Sequence, residues 1–333
     1  MAFKALAFAS LAIIATTAAI FLATSASVPT NKVTFDRFLQ HKNKYNKMYT
    51  TKQEMAYRYA VFAENMAKVE EHNRTNSSFR MGENKFSDLK FEEFSAKYLS
   101  KEVLHNTLKT ENEGVMEKSH KDWVQEGKVS KVKDQQQCGS CWAFSTTGSL
   151  EAAYAIFKNQ SIDASEQELV DCSWDDGNQG CNGGLMSQGF DYIMDNDISA
   201  EADYQYAGVD GDCDVPEGKT KYSVAKYSTL HPCDVTGLVA ALDKQPVSVA
   251  LEVQSDFQSY ESGIYVPKHK NCGQGLNHGV LAAGYYTDVD VPYFVVKNSW
   301  GEDWGMDGYI HMAIGTGSGT CGIANAWDVV PSL

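Results

Sequence analysis

The sequence predicts an α+β chain with two lobes, a helical half followed by a β-rich half. Three observations support this prediction. A run with helical periodicity starts at Cys141, short β runs follow Pro246, and glycines separate those runs. A helical half followed by a β half favours two lobes that face a cleft, the common place for a binding site.

Length and composition narrow the function classes. The chain has 333 residues, of which 29 are basic and 43 acidic, so its formal charge is −14. Such a length suggests two domains, or one domain and a processed segment. An apolar fraction of 43% excludes disorder throughout. The negative charge argues against nucleic acid as a partner, because phosphates require Lys and Arg.

The first residues predict a targeting segment. Residues 5–23 are almost wholly apolar and rich in alanine, and small residues follow at Thr24, Ser25 and Ala26. A cleaved signal peptide over residues 1–26 explains this pattern best. An uncleaved anchor is the alternative, since 19 residues just span a bilayer. No later stretch of this length lacks charge, so we expect no stable membrane anchor. The predicted route is the secretory pathway, to a lysosome-like acidic vesicle or the cell exterior.

Charge divides the chain into two parts. Residues 1–116 carry 16 basic and 12 acidic side chains, a net charge of +4. Residues 117–333 carry 13 basic and 31 acidic side chains, a net charge of −18. Segments of opposite sign attract each other if they meet. The alternative is two solvated surfaces with unrelated compositions.

The first part is predicted to be mainly helical. Glu54–Asn73 contains no Gly or Pro, and six residues spaced by three or four share one face of a helix. These residues are Glu54, Arg58, Phe62, Asn65, Val69 and Asn73. Glu54 and Arg58 are predicted to form an i, i+4 ion pair. Gly82–Asp88 alternates as a short strand does, and Glu102–Glu117 is predicted to be an exposed linker open to proteolysis.

The second part combines one long helix with several strands. The helix is predicted over Cys141–Lys158 from its apolar spacing. Short β runs follow in four places. They are Val247–Val253, Val280–Tyr286, Tyr293–Lys297 and Gly308–Ile314.

Three places in the second part contain residues suited to chemistry. Cys141 lies where the predicted helix begins, and the positive end of a helix dipole stabilises a thiolate there. His278 precedes a β run, and Asn298 follows one. Taken singly, these are a disulfide cysteine, an ordinary histidine and a turn former. Their occurrence together, in this order and spacing, favours a catalytic site.

These motifs resemble the papain family of cysteine peptidases, on its cathepsin L-like branch. The family places His and Asn ~130–150 residues after the cysteine, and the gaps here are 137 and 157. The helical face over Glu54–Asn73 resembles the ERFNIN propeptide pattern, with Val69 in the isoleucine position. A second propeptide motif is matched by Gly82, Asn84, Phe86 and Asp88.

The resemblance implies a papain-like two-lobed fold, with a helical left lobe and a β-barrel right lobe, preceded by a helical propeptide. The implied segments are a signal peptide at 1–26, an inhibitory propeptide at 27–116 and a peptidase domain at 117–333. A proline usual near the mature N-terminus is missing from Lys118–Lys121, so the cut position is left open.

The implied mechanism is that of a cysteine endopeptidase made as an acid-activated zymogen. Cys141 and His278 resemble the family's thiolate–imidazolium pair, and Asn298 its imidazole-orienting amide. Trp300 shields that hydrogen bond from water. The Gln135 amide and the Cys141 N–H meet the oxyanion. This chemistry uses no cofactor and no metal.

The resemblance also implies a peptide-binding cleft. Its matching residues are Gly183, Gly184, Leu185, Met186, Ala250, Leu276, Gly279, Trp300 and Ala326. The second-subsite members are apolar, which predicts a bulky hydrophobic residue one position before the scissile residue. The absence of a paired-histidine insert favours endopeptidase activity. Implied partners are protein and peptide substrates, the chain's own propeptide and cystatin-like inhibitors, with the protein itself a monomer.

Cysteines and sequons complete the expectations. Family pairing implies the disulfides Cys138–Cys181, Cys172–Cys213 and Cys272–Cys321. Cys233 is left over, as a buried free thiol or an intermolecular link. Asn76 and Asn159 are glycosylation candidates.

A protein of another class is the alternative: a catalytically silent homologue that only binds or inhibits. The intact set of Cys141, His278, Asn298 and Gln135 favours catalysis.

Overall fold

The computed structural model describes residues 32–75, 77–101, 104–105, 116–268, 272–325 and 327–333. The predicted signal peptide, the Asn76 sequon and Ala326 lie outside the described residues.

Eight α-helices occur in the described ranges. They are α1 (Lys32–Lys44), α2 (Lys52–Arg74), α3 (Phe91–Tyr98), α4 (Cys141–Ala153), α5 (Glu166–Cys172), α6 (Met186–Asn196), α7 (Val235–Leu242) and α8 (Ser255–Gln258). A π-helical turn, Tyr154–Lys158, continues α4. None of the helices described is both long and apolar enough to span a bilayer.

Thirteen strands, most of them short, complete the described structure. They are β1 (Phe79–Met81), β2 (Leu104–His105), β3 (His120–Asp122), β4 (Ile198–Ser199), β5 (Lys221–Tyr222), β6 (Lys226–Thr229), β7 (Val247–Leu251), β8 (Tyr260–Tyr265), β9 (Gly275–Leu276), β10 (His278–Tyr286), β11 (Tyr293–Lys297), β12 (Tyr309–Ala313) and β13 (Val329–Ser332).

The N-terminal segment is built on α2, which begins where Thr51 accepts a hydrogen bond from the Glu54 N–H. The predicted face of α2 holds the chain that follows, since Asn65 Nδ2 donates to the Ser87 and Leu89 carbonyls. The predicted ion pair within α2 is wrong. Arg58 instead pairs with Glu93 of α3 at 2.9 Å, while the Glu54 carboxylate accepts from the backbone N–H and the hydroxyl of Thr50.

The strand predicted over Gly82–Asp88 is also wrong, because this stretch is a turn and the strand β1 lies just before it. Asn84 Oδ1 accepts from the Phe86 N–H, and the Asn84 N–H donates to Ser87 Oγ. Such local side-chain bonds replace ladder bonds and favour a turn.

The helical lobe forms around α4, all of whose residues are buried. α5 and α6 pack against it, and the apolar core beside it includes Leu150, Leu169 and Phe190. The helix predicted over Cys141–Lys158 is confirmed, with its last turn widened into a π-helix.

The β lobe provides eight strands of a nine-stranded sheet of order β1-β8-β12-β11-β10-β7-β13-β6, in which β3 pairs with β10 outside this path and β1 of the N-terminal segment pairs with β8. α4 packs against β10, and Ser145 Oγ donates to the Val280 carbonyl at 2.7 Å between the lobes. The first residue of β10 therefore lies near the first residue of α4, at the boundary of the two lobes.

Three disulfides join the described residues: Cys138–Cys181, Cys172–Cys213 and Cys272–Cys321. They are the pairs that the resemblance implies. Their sequence separations are 43, 41 and 49 residues, and closing loops of this size stabilises by ~4 kcal/mol in the chain-entropy model. Cys233 is buried and outside any disulfide.

Candidate active site

Cys141 is the first residue of α4, so its thiol lies at the helix N-terminus. The loop before it is held rigidly. The Cys138–Cys181 disulfide fixes one side, Ser140 Oγ lies 2.6 Å from the Tyr206 hydroxyl, and that hydroxyl donates to the Gln135 carbonyl. The position of the sulfur is therefore set by the fold.

His278 is held by Asn298. Its Nε2 lies 2.8 Å from Asn298 Oδ1, which also accepts from the Ser299 N–H. Because a carbonyl oxygen only accepts, Nε2 carries a proton. Nδ1 has no hydrogen-bond partner within the described part of the chain, so this nitrogen is the one available for proton exchange. The Trp300 ring stacks on the imidazole at 4.7 Å and covers it from solvent.

The Gln135 side-chain amide is oriented by hydrogen bonds to its oxygen. Its Oε1 accepts from Ser299 Oγ at 2.7 Å and from Trp300 Nε1 at 3.1 Å. Nε2 is thereby turned to the opposite side, where it donates to the Cys138 and Tyr98 carbonyls, both at 2.8 Å. A carbonyl of the N-terminal segment thus occupies the donor that the resemblance assigns to the oxyanion.

Burial changes the electrostatics of the pair. It raises the pKa of the Cys141 thiol to about 11, although backbone N–H groups of Gly279, Trp142 and Ser100 oppose the rise. Burial also lowers the pKa of His278 to about 4, against the effect of the Asn298 hydrogen bond. While the site is covered, the neutral thiol and neutral imidazole are favoured.

The cover is the chain that follows α3. The Ser100 N–H donates to the Asn277 carbonyl and the Lys101 N–H to the Asn182 carbonyl, both at 2.9 Å. Ser100 Oγ lies so close above Gly183 that a Cβ there would collide with it. β2 then pairs antiparallel with β9. The described residues of this segment therefore contact both sides of the cleft.

Comparison with known proteins decides the family. The model of the papain family cysteine protease matches residues 118–330, and that of the cathepsin propeptide inhibitor domain (I29) matches residues 38–94. The chain belongs to the papain family of cysteine proteases. It is a zymogen, since the same chain carries its inhibitor domain.

Known relatives match this chain along most of its length. A cathepsin L-like proteinase from Fasciola hepatica is 40% identical over 305 residues, covering 87% of this chain and 91% of the relative. The structure of digestive procathepsin L 3 from Tenebrio molitor larval midgut superposes with a TM-score of 0.80 at 33% identity, covering 90% and 99% of the two chains. A recombinant stem bromelain precursor gives 0.79 at 33% identity, covering 90% and 99%.

The residues predicted for the second subsite of this papain-family protease are mostly buried. Met186, Ala250 and Leu276 belong to one apolar core cluster, while Leu185 is half-buried. Gly279 lies so close to the Trp142 backbone that an added Cβ would meet it at 3.1 Å. Their role in substrate binding stays a prediction.

An aromatic cluster of the propeptide packs on the other side of the site. Phe86 and Phe94 lie edge-on to Trp300, with ring centroids 5.6 and 5.0 Å away. All three side chains are fully buried. The tryptophan that covers the catalytic imidazole is therefore also the anchor of the inhibitor.

Sequence reasoning missed Tyr98, Ser100 and Ser299. Tyr98 and Ser100 make these contacts through backbone groups. Because any residue supplies such groups, the residue type in the sequence does not reveal them. Ser299 follows Asn298 directly, and a hydroxyl next to a candidate catalytic amide was a usable signal.

Proposed function

We propose that this protease is an endopeptidase in which Cys141 is the nucleophile and His278 its proton carrier. Asn298 orients the imidazole, and the Gln135 Nε2 and Cys141 backbone N–H bind the oxyanion. The Cys141 sulfur attacks the peptide carbonyl and forms a tetrahedral intermediate. His278 then protonates the leaving amine, and water hydrolyses the thioester.

Removal of the propeptide makes this chemistry possible. The segment around Ser100 covers both groups and excludes water. Rehydration favours charged forms, so it lowers the pKa of the thiol and raises that of the imidazole, towards the thiolate–imidazolium pair.

One observation supports this proposal above the others: the Tyr98 carbonyl accepts from Gln135 Nε2, as a substrate carbonyl would. The test is acid activation followed by labelling with a thiol-reactive peptidyl epoxide. Label on Cys141 is expected, and label found only on Cys233 would contradict the assignment.

The proposed segments are a signal peptide at 1–26, a propeptide at 27–116 and the enzyme at 117–333. Most of the Glu102–Glu117 linker lies outside the described residues, and at its end the Glu117 carbonyl accepts from Thr287 Oγ1 at 2.7 Å. β3 then pairs with β10. We therefore place the maturation cut within the Glu102–Glu117 linker.

Acid activation is proposed to act on the contact between propeptide and enzyme. Within the described residues, ion pairs between the two centre on Lys85, which lies 2.5 Å from Asp134 and 3.8 Å from Asp303. Both carboxylates are partly exposed, so this attraction is modest and is screened by salt.

One buried carboxylate of the propeptide keeps its stabilising charge in mild acid. Burial alone would raise the pKa of Asp88, but the His41 ring at 3.7 Å and the Lys47 ammonium at 3.1 Å lower it to about 2. A carboxylate with a depressed pKa stabilises the fold fully above its ordinary value of 3.8. This contribution is lost progressively as the pH falls from 3.8 to about 2.

Lys85→Met is expected to speed maturation near neutral pH by about fivefold, because an exposed ion pair contributes up to about 1 kcal/mol. Conversion of the zymogen is followed by gel at about pH 7 and about pH 4.5 in low salt. The wild type should mature faster at about pH 4.5 than at about pH 7, and the ratio of these two rates should be smaller for Lys85→Met. Lys68→Met, which removes an ion pair confined to α2, is the control. Equal rates for wild type at the two pH values would refute the acid mechanism.

Substrate preference is proposed to favour Leu or Phe over Arg one position before the scissile residue. Besides the apolar cluster, the nearby Asp328 is buried, and burial raises its pKa well above the usual range. Burial therefore disfavours the anion that an arginine would need in this pocket. A peptide panel should show kcat/KM at least ~10-fold higher for Leu than for Arg. Preference for Arg would overturn this assignment of the pocket.

Destination and modification remain part of the proposal. Three disulfides are typical of the secretory pathway, and an acid-released inhibitor suits a lysosome-like vesicle or an acidic exterior. Asn159 is exposed after the π-helical turn and is the favoured glycosylation site. The amide of Asn73 is already bonded to the Met81 backbone, which disfavours its sequon. We expect a monomer inhibited by cystatin-like proteins.

A further inference from the structure

A small cavity lies behind the catalytic groups, between the two lobes. Its lining includes Glu166, Lys297, Asn298 and Ser299, and it measures about 20 Å³ as space open to the centre of a water molecule. A polar cavity above ~10–15 Å³ by this measure holds one water. The space lies within the enzyme and has no propeptide residue in its lining.

Two polar atoms of this lining have no hydrogen-bond partner within the described residues. One is Glu166 Oε2, whose sister atom Oε1 accepts from Lys133 Nζ at 2.7 Å and Thr147 Oγ1 at 2.6 Å. The other is Asn298 Nδ2, on the amide that holds His278. Both side chains are at least 97% buried. Leaving an acceptor and a donor unpaired at such a depth costs ~1–3 kcal/mol each.

Charged groups surround Glu166 from every side. Lys133 contacts it directly and also pairs with Glu151 of α4 and with Asp163. Lys297 of β11 lies across the cavity and donates to Ser130 Oγ at 3.0 Å. Burial and Glu151 raise the pKa of Glu166, Lys133 opposes them, and the result is about 7.

We propose that this cavity binds one water molecule that joins Asn298 Nδ2 to the Glu166 carboxyl group, which makes Glu166 a positioning residue for the catalytic amide. The water accepts from the Asn298 N–H and donates to Glu166 Oε2. The amide is then held at both ends, by the water at Nδ2 and by the imidazole at Oδ1. This inference rests on the proposed role of Asn298.

The bridge depends on the charge of Glu166. An ionised carboxylate accepts a charge-assisted hydrogen bond from the water, which is stronger than the bond to a neutral acid. Ionisation therefore strengthens the bridge as the pH rises through about 7. A third inflection in the pH profile of kcat/KM follows, separate from those of Cys141 and His278.

The direct test is the side-chain amide signal of Asn298 in the full zymogen carrying Cys141→Ala, labelled with ¹⁵N-asparagine. The Nδ2 resonance is expected to shift between pH 5 and 9 with a midpoint near 7. Glu166→Gln should abolish that shift, and Thr147→Val should move its midpoint upward, because the threonine hydroxyl stabilises the ionised carboxylate. This readout needs no catalysis, so it is independent of whether Asn298 acts in the reaction.

Kinetics of the activated enzyme give the second readout. Glu166→Gln should lower kcat/KM above the inflection by about fivefold, the effect of one hydrogen bond, and remove the inflection. Asp163→Asn, which loses a Lys133 partner without lining the cavity, should keep the inflection. An Asn298 signal that does not titrate in the Cys141→Ala zymogen would overturn the inference, as would an inflection that survives in Glu166→Gln. If Glu166→Gln lowers the melting temperature but leaves the pH profile of kcat/KM unchanged, Glu166 has a structural role only, and the inference is likewise overturned.

Discussion

Cys141→Ala is expected to reduce kcat by a factor on the order of 10⁵–10⁶, the usual cost of removing the nucleophile from a catalytic unit. No other side chain in the described site is placed to form the thioester. Variant zymogen should therefore stay uncut in acid when no active enzyme is added. Hydrolysis of a fluorogenic peptide with Leu before the scissile residue measures the effect.

Cys233→Ala provides a matched control, since Cys233 is the other buried cysteine of the described chain that lies outside the disulfides. It should keep wild-type turnover. Activity that survives in Cys141→Ala would remove Cys141 from its role, whereas parallel loss in both variants would point to a shared folding defect.

Phe86→Ala is expected to release the inhibitor. Phe86 is fully buried, and its ring packs edge-on against Trp300 of the enzyme and Phe94 of the propeptide. Truncating such a side chain costs ~3–5 kcal/mol, which corresponds to a factor of 10²–10³ or more in the population of open zymogen. The variant should mature rapidly near neutral pH and gain peptidase activity before any acid step.

Tyr57→Ala is the control for this prediction, because Tyr57 is an aromatic residue of the same propeptide with 42% of its surface exposed. Its maturation rate should stay near that of the wild type. Slow maturation of Phe86→Ala at neutral pH, with normal folding shown by circular dichroism, would mean that the aromatic contact does not hold the zymogen closed.

The places of the candidate catalytic residues in the fold were predictable, because each residue lies in a local motif. Cys141 begins a periodic helix, and His278 and Asn298 border β runs, while their roles come from the family resemblance. The propeptide face was also predictable, because helical periodicity places Arg58 and Asn65 on one side whatever they contact.

The partners of these residues were not predictable. Arg58 has a local carboxylate at Glu54, yet it bonds Glu93, since tertiary packing decides between two nearly equal ion pairs. Gly82–Asp88 alternates like a strand, but the Asn84 side chain accepts a hydrogen bond from the Phe86 N–H, and the stretch forms a turn. The carbonyl on Gln135 belongs to Tyr98, and a backbone contact leaves no trace in residue type.

The orientation of Gln135 has a consequence for how this protein is kept silent. Ser299 and Trp300 hold its amide in place while the propeptide is still bound, so this proposed oxyanion donor is already oriented before activation. The donor needs no rearrangement, and the propeptide withholds access to it. Residual activity of the zymogen then equals the fraction of molecules in which the segment has lifted, and each 1.4 kcal/mol of propeptide contact lowers that leak about tenfold. Evolution or design can tune the latency of such a protease by altering the inhibitor alone, with the turnover of the released enzyme left untouched.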